Sequence, residues 1–211
     1  AVSYDVHLQM ADFWRLRGNP IRAEEVLVLA AQKDPTNLLL KERLAELYLD
    51  QEKPGQALEI IRTIHESAYQ SSYLAKMEVD CLLSMGELEQ AEDRLDQLTS
   101  SLSGEDPDAL ILQGKLALLR GKTAQAVSFL NSAVDMEPVN IQLALYLKGA
   151  ALLRSGNVHL AKKAFVHALA RDPNFTRAEL ALAGIHHQQH DDPTALEYLQ
   201  RILTREPENA Q

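Results

Sequence analysis

The chain is poor in cysteine, aromatic residues and positive charge. Its one cysteine, Cys81, leaves no intramolecular disulfide to form. Many periplasmic proteins also lack disulfides, so the compartment stays open between cytoplasm and bacterial periplasm. Aromatic residues make up 5% of the 211 positions, while alanine and leucine abound, a mixture that favours helix. Against 30 acids stand 21 lysines and arginines, a formal charge of −9 that repels a phosphate backbone. Nucleic acid is therefore not an expected partner. No apolar run approaches the roughly 18 to 20 residues that cross a bilayer, so no membrane insertion is expected. No signal peptide, glycine-rich phosphate loop or G-x-S-x-G elbow is visible. What remains is a chain 46% apolar, enough to fold around a substantial core.

A repeat organises that apolar content. Ala23, Ala57, Ala91, Ala126, Ala161 and Ala195 follow one another at intervals of 34, 34, 35, 35 and 34 residues. Four residues after each comes a large apolar side chain, Leu27, Ile61, Leu95, Leu130, Phe165 or Leu199. Seven after each comes Ala30, Ile64, Leu98, Ala133, Ala168 or Ile202. These offsets share one helical face. Gly18, Gly86, Gly121 and Gly156 stand five residues before four of the alanines, and Pro35, Pro138, Pro173 and Pro207 stand twelve after four of them. Each period thus reads as helix, tight turn, helix and proline stop.

The pattern resembles the tetratricopeptide repeat family, W-x2-L-G-x2-Y, then A-x3-F, then P over 34 residues. The first repeat has His7, Met10, Ala11, Trp14, Ala23, Leu27 and Pro35 at those places; the fifth has Leu145, Lys148, Gly149, Leu152, Ala161, Phe165 and Pro173. The resemblance implies an all-α fold, a right-handed superhelical α-solenoid of about six helix-turn-helix repeats. Their expected bounds are 4–37, 38–71, 72–106, 107–141, 142–175 and 176–209, read as one array over 1–211. Small residues on the first helices, Ala11, Ala45, Gly114, Gly149 and Ala183, let the two helices of a repeat approach closely. Glu78, Gln113 and Lys148 depart from the pattern where an apolar residue is usual, and the loop-like "SSLSGEDPD" at 100–108 marks a long turn or a hinge.

Family likeness also implies function: a non-catalytic scaffold that binds a protein or peptide on the concave face lined by first helices, with no cofactor. In the first two repeats that face holds the polar mixture Asp5, Asp12, Arg15, Glu42, Arg43, Glu46 and Asp50. In the last three it turns apolar with cations at its edge. The expected binding residues are Ile111, Lys115, Leu118, Leu143, Tyr146, Arg154, Leu180 and His187, and they suit a segment with an apolar stripe and negative charge. Leu112 and Leu180 have packing as their alternative role. Tyr146 is the leading choice; its replacement by Ala is expected to weaken binding and leave helicity intact. The chaperone-carboxylate clamp of one family subclass would fall on Leu8, Asp12, Arg43, Tyr73 and Met77, of which only Arg43 suits it.

Two stretches invite other readings. In "GIHHQQHDD", at 184–192, His186 and His190 have the spacing of two zinc ligands on a helix, but His187 stands where a metalloprotease has its glutamate. In the repeat register His186 replaces a packing aromatic, His190 replaces a turn glycine, and His187 faces the groove. The charges are uneven: the third repeat sets Lys76 and Arg94 against nine acids, and the fifth sets five cations against Asp172. A solvated outer face explains this; so does an electrostatic contact between molecules. The apolar face of the last helix, with Leu196, Leu199, Ile202 and Leu203, suggests a longer chain or self-association through that helix. In general style the repeats are similar to bacterial envelope and exopolysaccharide-export proteins of the exosortase-associated lipoprotein type.

Overall fold

The computed structural model describes residues 5–65 and 71–205. Among the described residues every regular element is an α-helix. The helices are α1 (Asp5–Leu16), α2 (Pro20–Lys33), α3 (Leu38–Asp50), α4 (Pro54–His65), α5 (Ser72–Met85) and α6 (Leu88–Ser101). They continue with α7 (Pro107–Leu119), α8 (Thr123–Asp135), α9 (Ile141–Arg154), α10 (Val158–Arg171), α11 (Thr176–Gln188) and α12 (Asp192–Arg205). The fold is an all-α helical repeat. Tertiary contacts divide it into two compact units, Ala1–Ser101 and Leu102–Gln211. Pro207, one of the repeat-ending prolines, lies outside the described residues.

Helices α2, α3, α5 and α7 start at side chains that take up free backbone N–H groups, as Asn19 does for the Arg22 amide at 3.1 Å. Asn37 accepts from the Leu40 amide at 3.2 Å, Ser71 from Leu74 at 3.1 Å and Asp106 from Ala109 at 2.8 Å. Within each repeat the first helix ends in the same turn. Gly18, Gly86, Gly121 and Gly156 adopt positive φ, and so do Glu52 (58°) and His190 (60°) at the matching place in the other two repeats. The following amide then reaches back to a carbonyl in the last turn of the helix, as in Asn19 to Trp14 at 2.9 Å, Lys53 to Tyr48 at 2.8 Å and Asp191 to His186 at 2.9 Å. This is the Schellman closure. Glycine enters the left-handed region without cost; Glu52 and His190 enter it at about 1–2 kcal/mol each.

Packing inside each repeat follows the alanine register. The six register alanines are buried, and so are the large residues four positions later, with one exception. Leu199, in the last repeat, is 37% exposed. In the first compact unit Glu78 keeps its unusual place because Arg94 Nε on α6 bonds its carboxylate at 2.6 Å, with His65 Nδ1 at 3.9 Å. In the second, α7 to α12 each pack on their chain neighbours. One core cluster joins Leu110, Ile111, Ala117 and Leu118 of α7 with Ala126, Leu130 and Ala133 of α8 and Ala144, Leu147 and Ala151 of α9. A second joins α9 and α10 to Ala178, Leu182 and Ile185 of α11.

The close approach of paired helices has a measurable consequence. A Cβ on Gly149 would lie 2.5 Å from Cε1 and 2.7 Å from Cδ1 of Phe165, whose ring is fully buried and has nowhere to turn. Gly149→Ala should therefore lose about 1–2 kcal/mol in urea unfolding, the overpacking outweighing alanine's better helix propensity. Gly184 on α11 has open space around it, so Gly184→Ala should gain about 0.5–1 kcal/mol in the same measurement.

Candidate interaction surface

The first helices of the two compact units present different faces. In the first unit the face is polar and acidic, and both its arginines are held by carboxylates. Arg15 Nη1 bonds Asp50 at 3.2 Å, and its Nη2 stands 3.8 Å from Asp12. Arg43 Nη1 donates to Glu46 Oε2 at 2.8 Å, while the Tyr73 hydroxyl donates to the other oxygen of Glu46. Burial, and then the charge of Glu46, raises the Glu42 carboxyl above its ordinary value. The bond to Glu46 raises Arg43. Tyr73 is raised by burial and by its bond to Glu46. Arg43 and Tyr73, two of the clamp positions, are thus both committed to one carboxylate.

In the second unit the face is built by α7, α9 and α11, and its expected residues divide by burial. Ile111 (4% exposed) and Leu118 (9%) lie within the core cluster against α9. They pack as Leu112 does, and offer little area to a ligand. Leu143 and Tyr146 are half-buried against the same cluster. The Tyr146 ring packs on Phe165 and Phe175, each 5.7 Å away between centroids, the latter edge to face. Arg154 Nη1 donates to the Leu118 carbonyl at 2.6 Å, a cation set on the C-terminal end of α7. Lys115 is half-buried on α7. Leu180, on α11, is 49% exposed. His187 is exposed, and its Nδ1 is bonded to Asp192 at 2.7 Å. Core contacts therefore bring Ile111, Leu118, Leu143 and Tyr146 together, with Arg154 tied to the same group; Leu180 and His187 stand apart from those clusters on α11.

The histidine stretch is rearranged by the turn. Helix α11 ends at Gln188, so His190 has left the helix and the four-residue spacing from His186 no longer aligns them on one face. His186 Nδ1 instead bonds Asp191 at 2.8 Å, which holds the Asp191 carboxyl below its ordinary value, and its ring lies 6.1 Å from that of Tyr198. The two helical histidines go to separate carboxylates. Among the described residues no group of three or more His, Cys, Asp or Glu side chains is arranged to hold a metal ion.

One pair escaped sequence reasoning. Glu179 on α11 is 1% exposed, and Arg205 at the end of α12 bonds its carboxylate. The same guanidinium donates to the Pro173 carbonyl at 3.2 Å and to Asn174 Oδ1 at 2.8 Å, tying α12 to the turn before α11. The available signal was a charge in an apolar column: Glu179 occupies the repeat position of Leu110 and Leu145.

Comparison with known proteins supports the repeat. The tetratricopeptide repeat family profile matches residues 76–141 and 146–210. No curated protein matches the chain. Solved structures do. The APC/C hetero-tetramer Cut9–Hcn1 is similar at 15% identity with a TM-score of 0.73, covering 95% of this chain and 39% of that one. The human IFIT1 dimer with m7Gppp-AAAA is similar at 19% identity with a TM-score of 0.73, covering 88% and 45%. A tetratricopeptide repeat protein from Parabacteroides merdae is similar at 17% identity with a TM-score of 0.58, covering 97% and 80%. The chain spans less than half the length of the first two, and at these identities the likeness is one of fold.

The buried pair makes a test of the last repeat. Arg205→Ala leaves Glu179 buried without its cation and should cost about 3 kcal/mol in urea unfolding. Adding Glu179→Leu removes the stranded charge and should recover most of that loss.

Proposed function

The chain belongs to the tetratricopeptide repeat family, and on that premise we propose that it is a non-catalytic protein-interaction scaffold. Its partner is a protein segment bound along the first helices of the second compact unit. One observation carries this reading. The first-helix face of the first unit is acidic and holds both its arginines in ion pairs, whereas that of the second keeps Leu180 half exposed, with Leu143 and Tyr146 partly exposed and Lys115 and Arg154 on the same set of helices. A segment with an apolar stripe and flanking acids complements that composition. The helices are formed before the partner arrives, so little ordering cost falls on this side of the complex. Ile111 and Leu118 support the face from beneath, and His187 flanks it. For this chain the formal charge of −9 speaks against a nucleic-acid partner.

The packing of Tyr146 changes which substitution tests the proposal. Tyr146→Ala removes two aromatic contacts along with any binding area, so it disturbs stability as well. Leu180→Glu changes a half-exposed side chain and adds a charge that repels the acidic flanks. A crosslinked pull-down with mass spectrometry should recover a protein with wild-type chain and with Val139→Glu, a control in the exposed turn before α9, and lose it with Leu180→Glu. Affinity for the recovered segment should fall about tenfold or more, the worth of one buried leucine. Equal capture by all three would overturn the proposed site.

A further inference from the structure

The fifth repeat is cationic within an acidic chain, and three of its five cations, Lys162, Lys163 and Arg171, lie on the outer helix α10. Along α10 the side chains of His159, Lys163 and His167 follow at four-residue intervals on the exposed face, with Lys162 and Val166 beside them. The opposite side of α10 is buried through Ala161, Ala164, Phe165 and Ala168. With Val158 and Gln189, the exposed row lines an open cleft of about 530 Å³, and Lys162 Nζ donates to Gln189 at 3.4 Å across its edge. Its lining sets Val158 and Val166 among Lys162, Lys163 and the two histidines.

Helix α6 displays the opposite charge on its exposed face. Ala91, Leu95 and Leu98 face its core, and Glu89, Asp93 and Asp96 form an exposed row on the other side. At 1.5 Å per residue that row runs about 10 Å, and the row from His159 to His167 runs about 12 Å. With the two helices side by side, Asp93 and Asp96 of one copy face Lys162 and Lys163 of the other, and His159 and His167 flank the lysines. We propose that α10 of one molecule docks against α6 of a second copy, making the chain self-associate through complementary outer helices. The occupant is a second copy because exposed outer-helix charge of both signs, in rows of similar length, is carried by this one sequence. The contact is heterologous, since the two surfaces it joins are different. Exposed ion pairs are individually weak and screened by salt, which sets the expected dissociation constant at about 100 μM or weaker. This surface is separate from the first-helix face proposed for a partner segment.

Sedimentation equilibrium of the intact chain at neutral pH tests it. In about 20 mM salt the weight-average mass should rise with protein concentration, and in about 500 mM salt it should stay at the monomer, the Debye length having dropped several-fold. Lys162→Glu/Lys163→Glu and Asp93→Lys/Asp96→Lys should each remain monomeric in low salt. Mixed together they should associate again, because the first retains an acidic α6 and the second a basic α10. Circular dichroism checks that both keep wild-type helicity; if either double variant loses it, Lys163→Glu and Asp93→Lys, at exposed positions, carry the same comparison. A wild-type chain that stays monomeric in low salt, a variant that associates as strongly as wild type, or a mixture that fails to associate overturns the proposal.

Discussion

The close contact between the two helices of each repeat is the constraint on which the structure depends. A small residue on the first helix lies beneath a large one on the second, Gly114 under Leu130 and Gly149 under Phe165, with no room for a single added carbon. The register alanine on each second helix does the same from the other side. Interiors packed this tightly respond to one methylene, so neither helix can rotate or slide without losing the contact. The interval of 34 or 35 residues is the sequence image of that contact; five of the six repeats carry the small residue, and the third has Val79 in its place.

The rest of the surface is distributed by what this contact leaves over. Second helices bury one narrow stripe and release their outer faces to charge, acidic on α6 and basic on α10. First helices bury one side against their partner and another against the next repeat, so only a strip remains for recognition. In the first compact unit that strip is closed by Arg15, Arg43 and their carboxylates. In the second it keeps apolar area at Leu180. A common frame thus yields unlike surfaces, which is why likeness of fold to Cut9–Hcn1 or IFIT1 carries no partner with it.

The pattern that recurs at the repeat interval was legible in the sequence; the particular partner of a side chain, within a repeat or between repeats, was less so. The alanine column, the turn and the place of His190 follow from spacing within some thirty residues, and the left-handed φ of His190 shows a side chain held where four repeats have glycine. Burial at Ile111 and Leu118 depends on Ala144, Leu147 and Ala151 of the next repeat, which a position within one repeat does not reveal. Tyr146 has the polar tip expected of a recognition residue, yet its ring is held by Phe165 and Phe175. Glu78 and Glu179 look like surface residues by type. Their partners, Arg94 and Arg205, lie 16 and 26 residues away and are brought near only by folding. The two histidines of the apparent zinc spacing failed for a related reason: the helix ends between them.

The close approach of paired helices, at Gly149 and Phe165, holds the repeat in register. A double-mutant cycle of Gly149→Ala with Phe165→Ala, read by urea unfolding, tests it directly. Alanine in place of the ring removes the atoms that the new Cβ would meet, so the cost of Gly149→Ala should shrink in the Phe165→Ala background, a coupling of about 1 kcal/mol. Strict additivity, within about 0.3 kcal/mol, would contradict the account, because the penalty would then arise somewhere other than at this contact.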